Sequence, residues 1–337
     1  MAKRKLNQQQ KKRIKERQDA RIGNASKKNT SNQWKDGDLG PEVHGLVVAR
    51  YSRNVDILAL EGEQIDDVIK CHIRANIDSI TVGDKAIWRS TPEGRGVVVA
   101  IEPRTTEIIR PDGLGKLKPV AANIDQVFIV IATEPEAHPT LIDRYLLACE
   151  HAGISASIVL NKCDLPVNDT LNELLATYEN LGYPTFNISA KDKTGFDTLR
   201  EILKDKTSIF AGQSGVGKSS MINALLPDAD VKTGLLSEHV VKGRHTTTTS
   251  ILHCLQEGGY IIDSPGIREF HLYHFTHHEI YSGFIELQKL DGQCQFRDCR
   301  HESEPGCAIT QFIEEGGLAP TRAHSLNYIL NAVAQMR

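Results

Sequence analysis

Ser208 to Leu225 reads "SIFAGQSGVGKSSMINAL". A short apolar run leads into Gly212–Ser219, which fits G-x-x-x-x-G-K-S in full, and an apolar-periodic segment follows. That order predicts a buried strand, a tight loop and a helix. Glycines 212, 215 and 217 let backbone N–H groups wrap a phosphate at a helix N-terminus, Lys218 reaches the β- and γ-phosphate oxygens, and Ser219 offers a hydroxyl to Mg²⁺. Gln213, Ser214, Val216 and Ser220 complete the candidate phosphate loop. A merely flexible glycine loop needs neither the Lys-Ser pair nor the strand–helix frame.

Base specificity is read upstream, at Asn161-Lys162-Cys163-Asp164, which follows the apolar run "SASIVL" as a ligand loop follows a strand. The Asp164 carboxylate can accept from both N1–H and the exocyclic amine of guanine, whereas adenine presents an acceptor at N1 and no amine there. A buried polar site left unpaired by the wrong base discriminates by roughly 10⁴ to 10⁵. Asn161 braces the loop and the Lys162 stem covers the base. "NISAKDKTG" then adds Ser189-Ala190-Lys191, with the Ala190 N–H able to meet guanine O6.

Two switch-like stretches follow the phosphate loop. In "VKGRHTTTTSILHC", Thr247 or one of its neighbours among Thr246–Thr249 completes Mg²⁺ coordination and senses the γ-phosphate; a plain β-edge threonine ladder is the alternative. In "YIIDSPGIREF", Asp263 holds Mg²⁺ through water and the Gly266 N–H meets the γ-phosphate. The residue after Gly266 is Ile267, whose aliphatic side chain cannot orient water. His245, beside the threonines, is the nearest residue of suitable chemistry, either ordering the attacking water or acting as its base.

The chain has 337 residues, 40% hydrophobic and 25% charged, which is ordinary for soluble domains and long enough for two or three cores. Its longest aliphatic run, Val127 to Ala132, falls far short of the ~20 residues a membrane helix needs. The N-terminus lacks an apolar signal region, so a cytosolic address is expected. Residues 1–35 carry twelve Lys/Arg against Glu16 and Asp19, a balance of +10, which against a chain total of −3 leaves −13 for the rest. Such a tail cannot bury enough apolar surface to fold alone. It is either a solvated solubility tail or a nucleic-acid arm that orders on binding.

Residues 43–102 alternate five short β-rich runs with turn residues, the pattern of a small closed barrel of the OB type, a fold that commonly binds oligonucleotides. Tyr51 and Trp88 are its few candidates for base stacking, and a generic barrel is the alternative. "RPDGLGKLKP" (110–119) reads as a linker. From Val127 onward, buried-strand runs alternate with helical stretches (141–151 and 171–181), giving an α/β domain with a mostly parallel sheet. Two helices close the chain. Cys71, Cys149, Cys163 and Cys254 read as packed thiols. Cys294, Cys299, His301 and Cys307 form C-x₄-C-x-H-x₅-C, a soft ligand set for one structural, tetrahedral Zn²⁺, against a redox switch or plain thiols. His271, His274, His277 and His278 read as surface residues.

Taken in order, "RPDGLGKLKPVAANIDQ", NKCD, SAK, GQSGVGKSS, GRHTTTT, DSPG and the Cys/His cluster resemble the family of bacterial small-ribosomal-subunit-dependent GTPases, RsgA or YjeQ, over essentially the whole chain. The resemblance implies a circularly permuted G domain, which accounts for base-reading loops that precede the phosphate loop. It implies a multidomain protein: a basic tail (1–40), an OB-fold β-barrel (41–105), a permuted P-loop GTPase domain (106–273) and a helical zinc-binding domain (274–337). It further implies a cytoplasmic, monomeric enzyme without membrane contact that hydrolyses GTP to GDP and phosphate when the small ribosomal subunit stimulates it. Such an enzyme acts late in subunit assembly, binds rRNA and helps release assembly factors. The rival readings are an RNA-binding zinc protein that GTP merely stabilises, and a P-loop kinase, against which Asp164 argues.

Overall fold

The computed structural model describes residues 38–77, 79–111, 116–226, 250–264, 272, 274–302 and 304–335. The basic tail lies almost wholly outside the described residues. The chain divides into two compact units, one ending at Pro103 and the other running from Arg104, with Thr81–Gly83 assigned to the second.

The first unit holds five strands: β1 (Glu42–Arg50), β2 (Asn54–Ala59), β3 (Val68–Ile73), β4 (Lys85–Ser90) and β5 (Gly96–Ile101). β1 pairs antiparallel with both β2 and β4, β3 pairs in parallel with β5, and β4 pairs with β5, so the sheet closes. This is the expected OB-type barrel. Val47, Val55, Ile57, Cys71, Trp88 and Val98 fill it. Trp88, expected as a stacking surface, is only 1% exposed. Its indole sits where Gly45 and Gly96 leave room; a Cβ at Gly96 would overlap both Cys71 Sγ and the Trp88 ring. Tyr51 keeps 36% exposure, with its hydroxyl donating to Asp56 Oδ2 at 3.0 Å.

The second unit opens with a hairpin, β6 (Glu107–Pro111) against β7 (Leu117–Ala122). The stretch read as a linker is therefore paired at both ends. Its Pro-Asp-Gly is a turn signal, and the alternating flanks supply strands. A six-stranded sheet follows: β8 (Gln126–Ala132), β9 (Ser155–Asn161), β10 (Thr185–Ile188), β11 (Thr207–Ala211), β12 (Ile251–Cys254) and β13 (Tyr260–Asp263). The spatial order is β10-β9-β8-β11-β13-β12, parallel throughout except for β12 against β13. β8 is buried at every residue, which is why it reads as a continuous apolar run.

Helices cover the sheet. α1 (Pro139–Ala152) starts with proline in its first turn and ends at Gly153 in the left-handed region. α2 (Asp169–Asn180) is capped by Asn168 Oδ1, which accepts from the Leu171 N–H at 2.8 Å and contributes about 1 kcal/mol. It buries Leu171, Leu174, Leu175 and Tyr178, the face expected from their spacing. α3 (Phe196–Leu203) and α4 (Lys218–Leu225) pack Phe196, Leu199, Leu203, Met221 and Ile222 into the core around Phe128 and Phe210.

Beyond the sheet come α5 (His277–Ser282), α6 (Ile285–Gln288), α7 (Ala308–Glu314) and α8 (Pro320–Ala334). They belong to the same unit as the sheet. Arg322 of α8, 1% exposed, donates to Asp143 of α1 at 2.7 Å and to both Glu286 oxygens at 2.8 and 2.6 Å. No described helix is long and apolar enough to cross a membrane. Of the thiols read as packed, Cys71 and Cys149 are buried, and burial pushes Cys149 up to about 12; Cys163 is half-buried, and Cys254, at the end of β12, is exposed.

Gly96→Ala should lower barrel stability by roughly 1–3 kcal/mol, because the added methyl overpacks against Trp88 and Cys71. Urea denaturation followed by tryptophan fluorescence checks this; an unchanged midpoint and slope would contradict the packing argument.

Candidate nucleotide site and metal cluster

NKCD, SAK and the candidate phosphate loop each follow the carboxyl end of a parallel strand, where open α/β sheets bind ligands. β11 ends at Ala211 and runs through Gly212–Gly217 into α4. Gly217 has φ 95°, a conformation that favours glycine, and a side chain there would overlap Asn161 Nδ2. Lys218 Nζ donates to Gly212 O at 2.6 Å and Gln213 O at 2.5 Å. Ser219 and Ser220 are exposed on the first turn of α4.

Asn161, the last residue of β9, is 1% exposed. Its Nδ2 donates to Val216 O at 2.8 Å, and its Oδ1 accepts from the Ala190 N–H at 3.4 Å. Lys162 Nζ donates to Gly215 O at 3.0 Å and Glu134 O at 2.6 Å. Asp164 Oδ1 accepts from Ser189 Oγ at 2.8 Å, while Lys191 Nζ lies 3.6 Å from Oδ2. The structure thus brings NKCD, SAK and the candidate phosphate loop into direct contact. Burial and then the Asp192 and Asp164 charges push the Cys163 thiol up, so it stays protonated.

Asp263 closes β13, which runs parallel to β11 with Ile262 opposite Ile209, so its carboxylate leaves the sheet at the same end as Gly212. His253 lies on the neighbouring strand β12; burial lowers its pKa, and the Asp263 charge offsets part of that. Ser250 Oγ and Ser264 Oγ, at the roots of the two switch-like stretches, lie 2.5 Å apart. His245, Thr246–Thr249 and Gly266 fall outside the described residues.

The Glu134–Glu136 loop also lines this region. Its carbonyls accept from Lys162 and, at Pro135 O and Glu136 O, from Gln213 Nε2 at 3.2 and 2.8 Å. Backbone acceptors carry no residue signature, so nothing in the sequence marks them.

Cys294, Cys299, His301 and Cys307 place their ligand atoms within 4.8 Å of one another. His301 Nδ1 is 3.5 Å from both Cys294 Sγ and Cys307 Sγ, and those sulfurs are 4.0 Å apart. A zinc tetrahedron with about 2.3 Å Zn–S and 2.0–2.1 Å Zn–N bonds has edges of about 3.8 and 3.6 Å, so the cluster is compatible with Zn²⁺. Tyr281 fixes the histidine, donating to His301 O at 3.0 Å with its ring edge-on at 4.8 Å. Tyr281 was not foreseen, since a partner to a ligand's backbone leaves no spacing pattern.

Among known proteins, the model of the RsgA GTPase family matches residues 101–273. The chain belongs to the RsgA GTPase family. It is 48% identical to the small ribosomal subunit biogenesis GTPase RsgA of Azotobacter vinelandii, covering 99% of each chain. Its identity to the RsgA of Pseudomonas fluorescens is also 48%, again over 99% of each. Among solved structures it resembles YjeQ from Thermotoga maritima, with a TM-score of 0.70 and 31% identity, over 88% of this chain and 100% of that one. It also resembles YloQ, a circularly permuted GTPase, with a TM-score of 0.67 and 28% identity over 91% and 99% of the two chains. The central domain is accordingly a circularly permuted GTPase fold: NKCD and SAK precede Gly212–Ser219 in sequence and lie beside it in space.

Asn161→Ala should weaken GDP binding roughly 10- to 100-fold, because Val216 O loses its partner and the two loops lose their common brace. Titration with a fluorescent GDP measures this, and affinity within twofold of the parent would show that the brace is dispensable.

Proposed function

We propose that this chain binds GTP and hydrolyses it to GDP and phosphate, stimulated by the small ribosomal subunit during late subunit maturation. The carrying observation is the contact network in which Asn161 bonds both the phosphate loop and the SAK loop while Ser189 of the latter bonds Asp164. In this reading residues 1–40 are an rRNA-binding arm, 41–105 an RNA-facing barrel, 106–273 the GTPase and 274–337 a helical segment folded around one structural Zn²⁺. The protein works as a cytoplasmic monomer, and hydrolysis times its own release and that of assembly factors.

The guanine edge is read by Asp164, with Ala190 N–H at O6 and the Lys162 stem over the base. The N–H groups of Gln213–Ser220 and the Lys218 ammonium surround the β- and γ-phosphates. Ser219, Asp263 and Thr247 are all oxygen donors, the set Mg²⁺ takes, and the bound ion would neutralise charge on the β- and γ-phosphate oxygens. Water attacks the γ-phosphorus in line as the bond to the β–γ bridging oxygen breaks. That oxygen leaves with GDP. A ring nitrogen of His245 accepts a hydrogen bond or the proton from the attacking water, the part Ile267 cannot play. Fixed positive charge and N–H dipoles do the rest, since phosphoryl transfer asks mainly for positioning and charge stabilisation.

Asp164→Asn replaces one acceptor with a donor, so preference should move from guanine towards xanthine nucleotides. Competition between GDP and XDP for the site measures it; a variant that retains the parent's GDP preference would remove Asp164 from base recognition.

Single-turnover hydrolysis with and without isolated small subunits tests the function itself. The parent chain should be stimulated, and His245→Ala should lose roughly 10² to 10⁴ of the stimulated rate while GTP affinity is kept. Equal rates with and without subunits would favour a GTP-stabilised RNA-binding protein.

A further inference from the structure

In "SAKDKTG" (189–195) the residues past the Ser-Ala-Lys triplet fold back and close a ring of hydrogen bonds around it. Ser189 is fully buried. Its Oγ donates to Asp164 Oδ1 at 2.8 Å, and a serine hydroxyl has one proton to give. The same oxygen accepts from the Asp192 N–H at 3.4 Å. Asp192 Oδ1 accepts from the Thr194 N–H at 3.0 Å and from Thr194 Oγ1 at 2.7 Å. The Ser189 N–H donates to Thr194 O at 3.1 Å, which completes the ring. Gly195, at φ 75°, closes the turn against the Asn187 carbonyl, with no room for a Cβ. Hydrogen bonds from Thr194 hold the Asp192 carboxyl below the usual carboxylate range, so it remains an acceptor at neutral pH.

The terminal torsion of an aspartate is broad and has no sharp rotamer of its own. Guanine recognition nevertheless needs the Asp164 carboxylate in the plane of the base, one oxygen towards N1–H and the other towards the exocyclic amine. Something outside the side chain must set that plane. Lys191 adds charge but little direction, because its side chain is 82% exposed. The buried Ser189 hydroxyl supplies direction, and the turn decides where that hydroxyl points.

We infer that Asp192 and Thr194 are specificity-setting positioning residues, which fix the Ser189 hydroxyl and through it the plane of the Asp164 carboxylate; the assignment rests on the guanine-nucleotide reading of Asp164. Inosine nucleotides keep N1–H and lack the amine, and they share the phosphates. The ratio of GDP to IDP affinity therefore reports whether the second carboxylate oxygen is aimed at the amine, while affinity for IDP reports the N1–H contact and the rest of the site.

The test is titration of GDP, IDP and XDP against the full chain and four variants: Thr194→Val, Asp192→Ala, Asp192→Asn and Asp164→Asn. Thr194→Val and Asp192→Ala should each lower the GDP-over-IDP ratio by roughly 3- to 10-fold, with IDP affinity held within about twofold. Asp192→Asn, whose amide oxygen still accepts from Thr194, should keep the parent ratio. Equal weakening of GDP and IDP would make the turn a structural element only and overturn the positioning role, as would an unchanged ratio in both variants. Asp164→Asn separates the two levels. A shift to XDP there, with the ratio unmoved in Thr194→Val and Asp192→Ala, removes the positioning role alone; an Asp164→Asn protein that still prefers GDP to XDP removes the guanine reading and the positioning role together.

Discussion

Asn161 stands at the end of β9 with its carboxamide buried between two other loops, its Nδ2 donating a hydrogen bond to Val216 O and its Oδ1 accepting from the Ala190 N–H. A buried amide left unpaired costs about 1–3 kcal/mol, so its two ends hold the phosphate loop and the SAK loop in one arrangement. The room for it is made by Gly217, where a side chain would overlap Nδ2. One residue of the phosphate-binding motif is thus glycine for two reasons, its left-handed backbone and the brace beside it. The NKCD, SAK and Gly212–Ser219 loops, separate in sequence, are thereby held in register by the protein's own contacts, and a ligand that uses all three is spared part of the cost of ordering them.

A second buried polar centre ties the C-terminal helices to the same sheet. Burial works against the Arg322 charge, but hydrogen bonds to Glu286 and the Asp143 charge outweigh it and hold the guanidinium protonated. The guanidinium carbon also lies over the Phe284 ring, 4.3 Å from the centroid. Tyr178 of α2 donates to the same Asp143 oxygen at 2.7 Å, so α1, α2 and α8 meet at one carboxylate, and Glu286 of α6 joins them through Arg322. Such a cluster is weak evidence for net stability but strong evidence for a defined register, since a shifted helix would strand a buried charge. α1 begins just after the Glu134–Glu136 carbonyls that hold Gln213 and Lys162. Continuous packing therefore runs from the phosphate loop through α1 to α8.

Much of this was legible in the sequence, for identifiable reasons. β8, β9, β11 and β13 are buried on both faces and appear as apolar runs, and α2 shows its buried face at helical spacing. The phosphate loop, NKCD and the Cys/His spacing are local signals, and the structure keeps each set together. What escaped depends on partners. β12, "ILHC", is strand because β13 pairs with it, and α3 is short. The two described ends of the 110–119 stretch pair with each other. Trp88 could not be placed by type alone, because whether an indole lies inside or outside a barrel depends on the glycines opposite. Asn161 was expected to brace its own loop, but its partners on two distant loops are a property of the fold.

The permutation is cheap because the site depends on spatial order and on one pole of the sheet. Chain entry at β8 is pinned at the opposite pole, where the Asp125 N–H donates to Thr207 O at 2.9 Å and Asp125 Oδ2 accepts from the Thr207 N–H at 2.7 Å. From there each parallel crossover, β8 to β9, β9 to β10 and β10 to β11, returns the chain to that pole and delivers the next loop to the ligand end. The exit differs from the entry. β13 ends at Asp263, on the ligand side, so the polypeptide leaves the sheet beside the phosphate loop and goes on to α5, α6 and the metal cluster. A domain cut at another connection would put this departure elsewhere. In this chain, cutting before β8 makes β13 the strand that precedes the Cys/His region, so the two ends of that region are held differently: one by β13, the other by Arg322 of α8 bonded to Asp143 of α1.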